Sequence, residues 1–354
     1  MRTLLVGYRA ADLTPKLLEG DVTCHVLDIY HRHAIEKVHH AKAICSPHLP
    51  EGPWDVIRFK TGPKIHSGEL ALDLLQEIAQ LLRNGEAGSR PLQKDGRFHL
   101  DFDGRERDRN DLLDKIRDNP KRVRSFKAEW PASVPGGERL MFTSYPGCFC
   151  HRRLDEGGLA LAEVASKELL KSAEACADGD LSSEHRGIRA SDQLRNLSIL
   201  DMGCGCGLVG LLIANRLRRP IEQSEQSEQS EQSNNPNNRT ISLTLVDSHS
   251  RAVEAATENA AKFGIPAEVI LSDSGTPKRM DGTFDVFVGN PPYYSDYRIA
   301  EVFLETAKRA LKPGGVCYTV VKNAEGLKPV QEKFFPSVAV IGRRNYSVLK
   351  SVKG

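Results

Sequence analysis

This sequence of 354 residues lacks three features, which are long apolar runs, pairs of ligands at zinc spacing and a strong net charge. No stretch approaches the roughly 18 uninterrupted apolar residues of a membrane span, and the first residues carry no apolar segment typical of a secretory signal. The eight cysteines are therefore expected to be reduced thiols in the cytoplasm. With a net charge of only +2, any contact with nucleic acid must depend on local patches.

Three local clusters invite a binding role. Cys148-Phe149-Cys150-His151 suggests a metal ligand set, but no second pair follows at the spacing of a zinc site, so we expect no metal and small core or loop cysteines. Basic residues gather at Lys121–Lys127 and at Arg343-Arg344. Charge runs of this kind usually form a solvated face. They are therefore only weak support for a contact with nucleic acid.

The second half of the chain alternates strand and helix patterns. Short apolar strands are predicted at Leu197–Leu200, Ile241–Val246, Ala267–Leu271, Phe284–Val288 and Val316–Val321. Helices are predicted between them at Leu208–Leu217, Ser250–Phe263 and Ala300–Leu311. Strands separated by helices of this length predict a parallel, doubly wound α/β sheet.

The first 140 or so residues repeat this alternation more faintly. Strands are predicted at Thr3–Val6, Val22–Ile29 and Asp55–Phe59, with an apolar-periodic helix at Gly68–Leu82. The mixed-sign stretch Asp101–Arg124 is expected to form an exposed loop and helix. Only Gly7-Tyr8-Arg9 follows the first strand, without a glycine triplet. We therefore predict two domains of related fold, 1–140 and 141–354, the first of them degenerate.

One stretch interrupts the plan of the second domain. Glu222–Arg239 repeats the unit Ser-Glu-Gln and ends in an Asn-rich tail, with no apolar residue to anchor it. Such a composition cannot contribute to a packed core. We expect a disordered surface loop inserted between a helix and a strand.

The segment Asp201–Gly207 follows the first strand of the second domain and opens a helix. Its three glycines, Gly203, Gly205 and Gly207, alternate with small side chains. Glycine lets the backbone turn tightly and approach a ligand closely, while the N–H groups of the helix face that ligand. The segment therefore predicts a cofactor loop.

The same residues match a dinucleotide fingerprint, since Gly205–Gly210 has the spacing G-x-G-x-x-G. Asp201 argues against that interpretation, because a carboxylate at the end of the strand would repel a pyrophosphate. It can instead face the ammonium group of S-adenosylmethionine, directly or through water. The next two strands end near Asp247 and Asp273, which are placed to accept hydrogen bonds from ribose hydroxyls and from the adenine amino group.

The tetrapeptide Asn290-Pro291-Pro292-Tyr293 follows the fourth strand. An exocyclic amine or an amide nitrogen is a poor nucleophile, so an enzyme that methylates it must hold its N–H groups and aim its lone pair. The Asn290 side chain and the Pro291 carbonyl supply two acceptors, the prolines stiffen the turn, and Tyr293 offers a face for stacking a base. Taken alone, the tetrapeptide is also compatible with a plain turn that leaves a strand.

With these motifs the chain resembles the class I S-adenosylmethionine-dependent methyltransferases, and within them the bacterial ribosomal RNA guanine-N2 methyltransferases of the RsmC/RlmG type. The resemblance runs from about Ser144 to the C-terminus and includes Tyr145–Phe149 and Leu154–Gly158, similar to the family's loop that leads into the catalytic domain and folds over the cofactor. It implies a seven-stranded catalytic sheet, a degenerate N-terminal domain that positions RNA, and ribosomal RNA or a ribosomal subunit as partner.

The chain departs from the family in Glu222–Arg239, in a longer connection between Ser166 and Arg195, and in Tyr294-Ser295-Asp296 beside the base pocket. Three other functions therefore stay open. The tetrapeptide also serves adenine-N6 methyltransferases of RNA or DNA and glutamine-N5 methyltransferases of proteins. A non-enzymatic RNA-binding assembly factor is the third, which the intact Asp201 loop and Asn290 argue against.

Overall fold

The structure is a computed structural model that describes residues 1–83, 92–117, 125–177, 196–218, 240–292 and 297–354. It forms two compact units. The first comprises Met1–Ala128 with Ser144–His151 and Ser248–Glu254, and the second comprises Glu129–Thr143, Arg152–Asp247 and Ala255–Gly354. The insert Glu222–Arg239 lies outside the described residues, as does Lys121–Arg124. The division into domains 1–140 and 141–354 stays a prediction.

The first unit is built on a five-stranded parallel sheet in the order β3-β2-β1-β4-β5. Its strands are β1 (Arg2–Val6), β2 (Asp21–Val26), β3 (Lys42–Cys45), β4 (Trp54–Thr61) and β5 (Leu92–Phe102). Its helices are α1 (Ile29–His39), α2 (Gly68–Arg83) and α3 (Glu106–Arg117). Leu4 and Val6 pack in one apolar cluster and Leu5 in another, because successive side chains of a strand point to opposite faces. The sheet is therefore covered on both sides.

Two predicted elements of this unit differ in their bounds. The second strand ends at Val26 rather than at Ile29, because Asp28 accepts a hydrogen bond from the Tyr30 N–H and begins α1 as its N-cap. The stretch predicted as an exposed loop and helix begins inside β5, which ends at Phe102. The strands β3 and β5 had no sequence prediction.

The second unit contains a seven-stranded sheet in the order β10-β9-β8-β11-β12-β14-β13. These strands are β8 (Asn196–Met202), β9 (Thr240–Asp247), β10 (Ala267–Leu271), β11 (Phe284–Gly289), β12 (Leu311–Val321), β13 (Ala339–Arg343) and β14 (Tyr346–Val352). A separate pair is formed by β6 (Ala128–Ala132) and β7 (Leu140–Ser144). Within this sheet, β14 runs in the opposite direction to the other strands and pairs antiparallel with β12 and β13. The predicted α/β fold with a seven-stranded methyltransferase-like sheet is confirmed.

Helices separate these strands, as the sequence predicted. They are α4 (Glu156–Ala177), α5 (Leu208–Arg218), α6 (Ser250–Lys262), α7 (Arg298–Ala310) and α8 (Ala324–Glu332). Helix α5 is apolar on all sides, and Leu211–Ala214 are fully buried. Its position beside the central strand β8 fixes the loop that joins the two. Within the described residues, none of the helices is long and apolar enough to cross a membrane.

The first unit buries one full charge. Arg251 is 2% exposed, and its guanidinium donates to Asp73 and, at 3.0 Å, to Glu77. It also donates to the Pro47 carbonyl at 3.0 Å. A buried cation is tolerated only when its partners replace the water it has lost. Arg251 therefore holds the residues around it together within this unit.

Replacing Arg251 by Met should lower the stability of the folded chain by about 3 kcal/mol, because two carboxylates lose their counter-charge in a partly buried place. The midpoint of urea unfolding measures the effect. The matched control is Arg32→Ala, which removes an exposed pair with Glu36 and should cost well under about 1 kcal/mol. Equal shifts in the two variants would contradict the role of Arg251.

Candidate functional site

The predicted cofactor loop joins β8 to α5, and its three glycines all have positive φ, at 68° for Gly203, 56° for Gly205 and 84° for Gly207. A Cβ added to Gly203 would lie 2.7 Å from the ring of Phe303, so only glycine fits there. At Gly205, by contrast, no heavy atom of the described residues lies within 4 Å of an added Cβ. The loop is thus packed on one side and open at Gly205.

Backbone and side-chain bonds fix this loop. The N–H groups of Gly203 and Cys204 donate to the Val246 carbonyl at 2.8 and 3.0 Å. The fully buried Asn259 donates to the Cys206 carbonyl at 2.9 Å and exchanges two hydrogen bonds with the backbone of Thr143. Cys204 and Cys206 are buried, as expected of small side chains between the glycines. Asn259 was missed by sequence reasoning, since an isolated Asn within a helix gives no signal.

Asp201 lies at the end of β8 with a side chain only 1% exposed. Its Oδ2 accepts from the Gly210 N–H at 2.8 Å, which places the carboxylate against the first turn of α5. Burial raises its pKa to about 7, and the charges of Asp247 and Asp155 add to the effect while the Gly210 bond opposes it. Any contact with a ligand therefore uses the part of this carboxylate that Gly210 leaves free.

Asp247 lies at the end of β9, where its Oδ2 accepts from the Gly205 N–H at 2.9 Å. Its backbone carbonyl accepts from the Ser272 N–H at 2.9 Å, just before the partly buried Asp273. In the sheet, β9 stands between β8 and β10. Asp201 and Asp247 therefore lie at the ends of two neighbouring parallel strands, and Asp273 lies just after the end of a third, at the same edge of the sheet.

Asn290 follows β11, the neighbour of β8 on its other side. Its Nδ2 donates to Asp155 Oδ2 at 2.9 Å. Pro291 is buried and Pro292 partly buried, whereas Tyr293 lies outside the described residues. A Cβ added to Gly289 would lie 2.9 Å from Phe303, the ring that also packs under Gly203. One side chain of α7 thus supports both the glycine loop and the tetrapeptide.

The basic clusters behave differently from one another. Arg343 and Arg344 both bind Glu163 of α4, at 2.7 Å for Arg344 Nη2. Glu163 is 5% exposed, so these arginines hold two elements together and are not simply a solvated face. In the other cluster Lys127 is described, and its ammonium lies 5.8 Å from the centre of the Tyr145 ring.

In the first unit, the corresponding end of β1 is filled by its own side chains. A Cβ added to Gly7 would lie 2.5 Å from the Lys60 carbonyl oxygen and 2.8 Å from the His66 ring. Tyr8 is buried and donates its hydroxyl to Asp101. Large side chains thus stand where the second unit has its small loop residues.

The site of the second unit is rich in carboxylates and combines an open glycine with a fixed amide. Several negative charges at one sheet edge favour a ligand that carries positive charge and disfavour a pyrophosphate. In the part of the chain that the structure describes, no three His, Cys, Asp or Glu side chains are grouped so as to hold a metal ion. The arrangement therefore suits a cationic organic cofactor beside an amide acceptor.

Comparison with known proteins agrees with this geometry. Residues 232–350 match the family model of the methyltransferase small domain. The ribosomal RNA small subunit methyltransferase C of Pseudoalteromonas translucida is 26% identical over 206 residues, which cover 57% of this chain and 46% of that protein. The protein of the same name from Pseudomonas aeruginosa is 28% identical over 222 residues, covering 60% of this chain and 52% of the relative.

The chain is thus similar in sequence to methyltransferases of the RsmC type. It spans about half the length of these curated relatives. The solved 16S rRNA N2 G1207 methyltransferase RsmC of T. thermophilus, in complex with AdoMet and guanosine, matches with a TM-score of 0.68 and 17% identity. The match covers 100% of this chain and 88% of that one, so the two proteins share a fold. The resemblance predicted from the sequence is thereby confirmed.

Asp201 should make the stability of the second unit depend on pH. Its pKa is raised from 3.8 to about 7 in the folded state, so the folded protein holds a proton that the unfolded chain releases. The resulting stability is present at low pH and is lost as pH rises between about 4 and 7, by up to about 4 kcal/mol. Asp201→Asn should therefore gain stability relative to the wild type as pH rises from 5 to 8, measured by urea unfolding.

Comparing the stability of Asp201→Asn with that of the wild type at each pH removes the contribution of the buried histidines, which changes stability with pH in the opposite direction. Burial lowers the pKa of His25, His66 and His249 to about 4, so they add stability as pH rises, in both proteins alike. A stability difference between Asp201→Asn and the wild type that is the same at pH 5 and pH 8 would show that Asp201 is ionised throughout.

Proposed function

We propose that this chain is an S-adenosylmethionine-dependent N-methyltransferase that acts on the exocyclic amine of a base in RNA, guanine N2 of ribosomal RNA. The observation that carries the proposal is the position of Asn290, at the strand end next to the glycine loop, with its amide held by Asp155. The names of the relatives support the RNA substrate, and the T. thermophilus protein was solved with AdoMet and guanosine. Such a substrate would place the protein in the cytoplasm.

The residues present fit S-adenosylmethionine. Asp247 would accept hydrogen bonds from the ribose hydroxyls, Asp273 from the adenine amino group, and Gly203, Gly205 and Gly207 would let the backbone approach the ligand. Asp201 would favour the methionine ammonium electrostatically. When bound, the cofactor supplies a methyl group already activated by the sulfonium charge. The carboxylates that the structure gathers here complement its positive charge.

Asn290 would act by holding the target amine. Its side-chain oxygen and the Pro291 carbonyl would each accept one N–H, which aims the nitrogen lone pair at the methyl group. The methylated product is a strong acid that loses its proton readily to water, so no strong base is required. Orientation and hydrogen bonding would then carry most of the acceleration. Tyr293 stays a prediction as the surface on which the base stacks.

The first unit would position the RNA and perform no chemistry. Its sheet has the strand order of the first five strands of the catalytic sheet, but Tyr8 and His66 fill the end of β1. Arg122, Arg124 and Lys127 are the proposed phosphate contacts, of which only Lys127 is described. A phosphate contact positions a substrate without reading its sequence, so this unit would bring the RNA to Asn290.

Adenine-N6 methylation of RNA or DNA and glutamine-N5 methylation of protein are the alternatives for the same tetrapeptide. The purified chain should be offered ribosomal RNA, assembled ribosomal subunits, DNA and a release factor with radiolabelled S-adenosylmethionine, and the labelled product identified by mass spectrometry. N2-methylguanosine supports the proposal, and methyladenine or methylglutamine replaces it with an alternative. Binding of RNA without any methyl transfer would identify an assembly factor.

Cofactor binding should depend on Asp247. A carboxylate that accepts from two hydroxyls is charge-assisted and contributes roughly 1.5–3 kcal/mol, so Asp247→Ala should weaken S-adenosylmethionine binding at least about tenfold in calorimetry. The control is Glu268→Ala, an exposed carboxylate of β10 that pairs with Arg279 and should leave the affinity unchanged. Equal affinity of the Asp247 variant and the wild type would remove Asp247 from the site.

Turnover should depend on Asn290. Asn290→Ala removes one preorganised acceptor for the target amine and should lower kcat on the order of a hundredfold, while the affinity for S-adenosylmethionine changes far less. Asn323→Ala is the matched control, because Asn323 is an exposed residue that caps α8 and should keep full turnover. Methylation at the wild-type rate by the Asn290 variant would refute the proposed mechanism.

A further inference from the structure

Asp155 makes two different bonds with its two carboxylate oxygens. Oδ1 accepts from the Gly157 N–H at 3.1 Å, and the backbone carbonyl accepts from the Leu159 N–H at 2.9 Å. These bonds make Asp155 the N-cap of α4. Oδ2 accepts from Asn290 Nδ2 at 2.9 Å. One side chain thus connects the start of a helix to the amide proposed to hold the substrate.

The surroundings leave this carboxylate little freedom. A Cβ added to Gly158 would lie 2.5 Å from Asp155 Oδ2, and one added to Gly157 would lie 3.0 Å from the Tyr346 ring. Both glycines therefore let other groups pack tightly onto the first turn of α4. The same helix is fixed further along through Glu163, which binds Arg343 and Arg344. Asp155 is consequently presented to Asn290 from a rigid element.

An amide side chain can present either its oxygen or its nitrogen to the substrate, and only one of these is useful here. A carboxylate is an acceptor without donors, so Asp155 draws the Asn290 NH₂ group toward itself. The amide oxygen then points away from Asp155 and is left available. An amine that is to be methylated needs the Asn290 oxygen as an acceptor for its N–H group. If Asn290 presented its NH₂ group instead, two hydrogen-bond donors would face each other.

We propose that Asp155 is a positioning residue that fixes the amide orientation of Asn290, so that its oxygen meets the target amine. The inference rests on the proposed function, since it assigns the oxygen of Asn290 to the substrate. Asp155 itself does not touch the substrate. It acts through Asn290, and its loss lowers turnover much more than it changes cofactor binding.

Two variants separate this role from helix capping. Asp155→Asn has the same shape and is an equally good N-cap, but its oxygen is needed by Gly157 and its NH₂ group then faces Asn290, which turns the amide of Asn290 around. Asp155→Ser also caps the helix through its hydroxyl, but is too short to reach Asn290. Both variants should melt close to the wild-type temperature and should weaken S-adenosylmethionine binding far less than Asp247→Ala does.

Both variants should lower kcat roughly ten- to hundredfold on the RNA that the wild type methylates, because the acceptor is no longer held in place. Combining Asp155→Asn with Asn290→Ala should be no slower than Asn290→Ala alone, since residues that act through one another are not additive. Full turnover by Asp155→Asn, together with a slow Asn290→Ala variant, overturns the inference and leaves the proposed function standing.

The remaining outcomes are equally distinct. A further loss in the double variant means that Asp155 acts separately from Asn290, which overturns the inference. Impaired folding of Asp155→Asn, with loss of both melting temperature and cofactor affinity, shows a purely structural role and also overturns it. If Asn290→Ala retains the wild-type rate, the proposed role of Asn290 fails and the inference falls with it, because Asp155 is proposed to act through Asn290. The identity of the methylated product then tests the proposed function separately.

Discussion

The buried carboxylate of Asp201 is the constraint on which the site is built. A charge taken out of water must be compensated, and the Gly210 N–H at the first turn of α5 supplies one bond. Glycine at position 210 leaves room for this bond, because an added Cβ would lie 3.1 Å from Asp201 Oδ2 and 2.9 Å from the side chains of Leu243 and Leu245. The nearby charges of Asp155 and Asp247 work against ionisation and raise the pKa further. The folded site therefore carries an electrostatic cost that a cation at this edge would relieve.

The same strand order in the two units produces different outcomes because of a few residues. Each sheet contains five parallel strands in the same order, β3-β2-β1-β4-β5 in the first unit and β10-β9-β8-β11-β12 in the second. This order directs the carboxyl ends of these strands to one edge. In the second unit, glycines and small cysteines keep that edge open at Gly205. In the first unit, the buried Tyr8 and the His66 ring occupy it. The fold provides a place for a ligand, and side-chain size decides whether the place is filled.

The features predicted from the sequence are those encoded by neighbouring residues. The glycine loop, each strand-end acid and the Asn290 turn are each signalled by residues within a few positions along the chain, and the strand–helix alternation predicted the fold class. The bond between Asp155 and Asn290 joins residues 135 positions apart, and the bond between Asn259 and Thr143 spans 116. No local pattern signals such pairs, so they appear only when the chain is folded.

Charge patterns show the same limit. In the sequence, Arg343-Arg344 looks like a basic cluster on a solvated face. In the structure, both side chains bind the buried Glu163. Their geometry depends on the turn between β13 and β14, where Arg344 and Asn345 both have positive φ. Whether a basic run faces solvent or closes an ion pair is decided by what packs opposite, which the run itself does not encode.

Selectivity for one base must arise outside the Asn290 contact. Two acceptors and a fixed amide orientation suit any planar nitrogen that carries two hydrogens, whether it belongs to guanine, adenine or glutamine. Asp155 improves the alignment of that contact without distinguishing among these groups. On the proposed function, discrimination among bases would therefore depend on groups that contact the rest of the target base, for which the sequence predicts the residues after Pro292. Phosphate contacts of the first unit would position the RNA without reading a base, so reaction chemistry and substrate choice would lie in different parts of the chain.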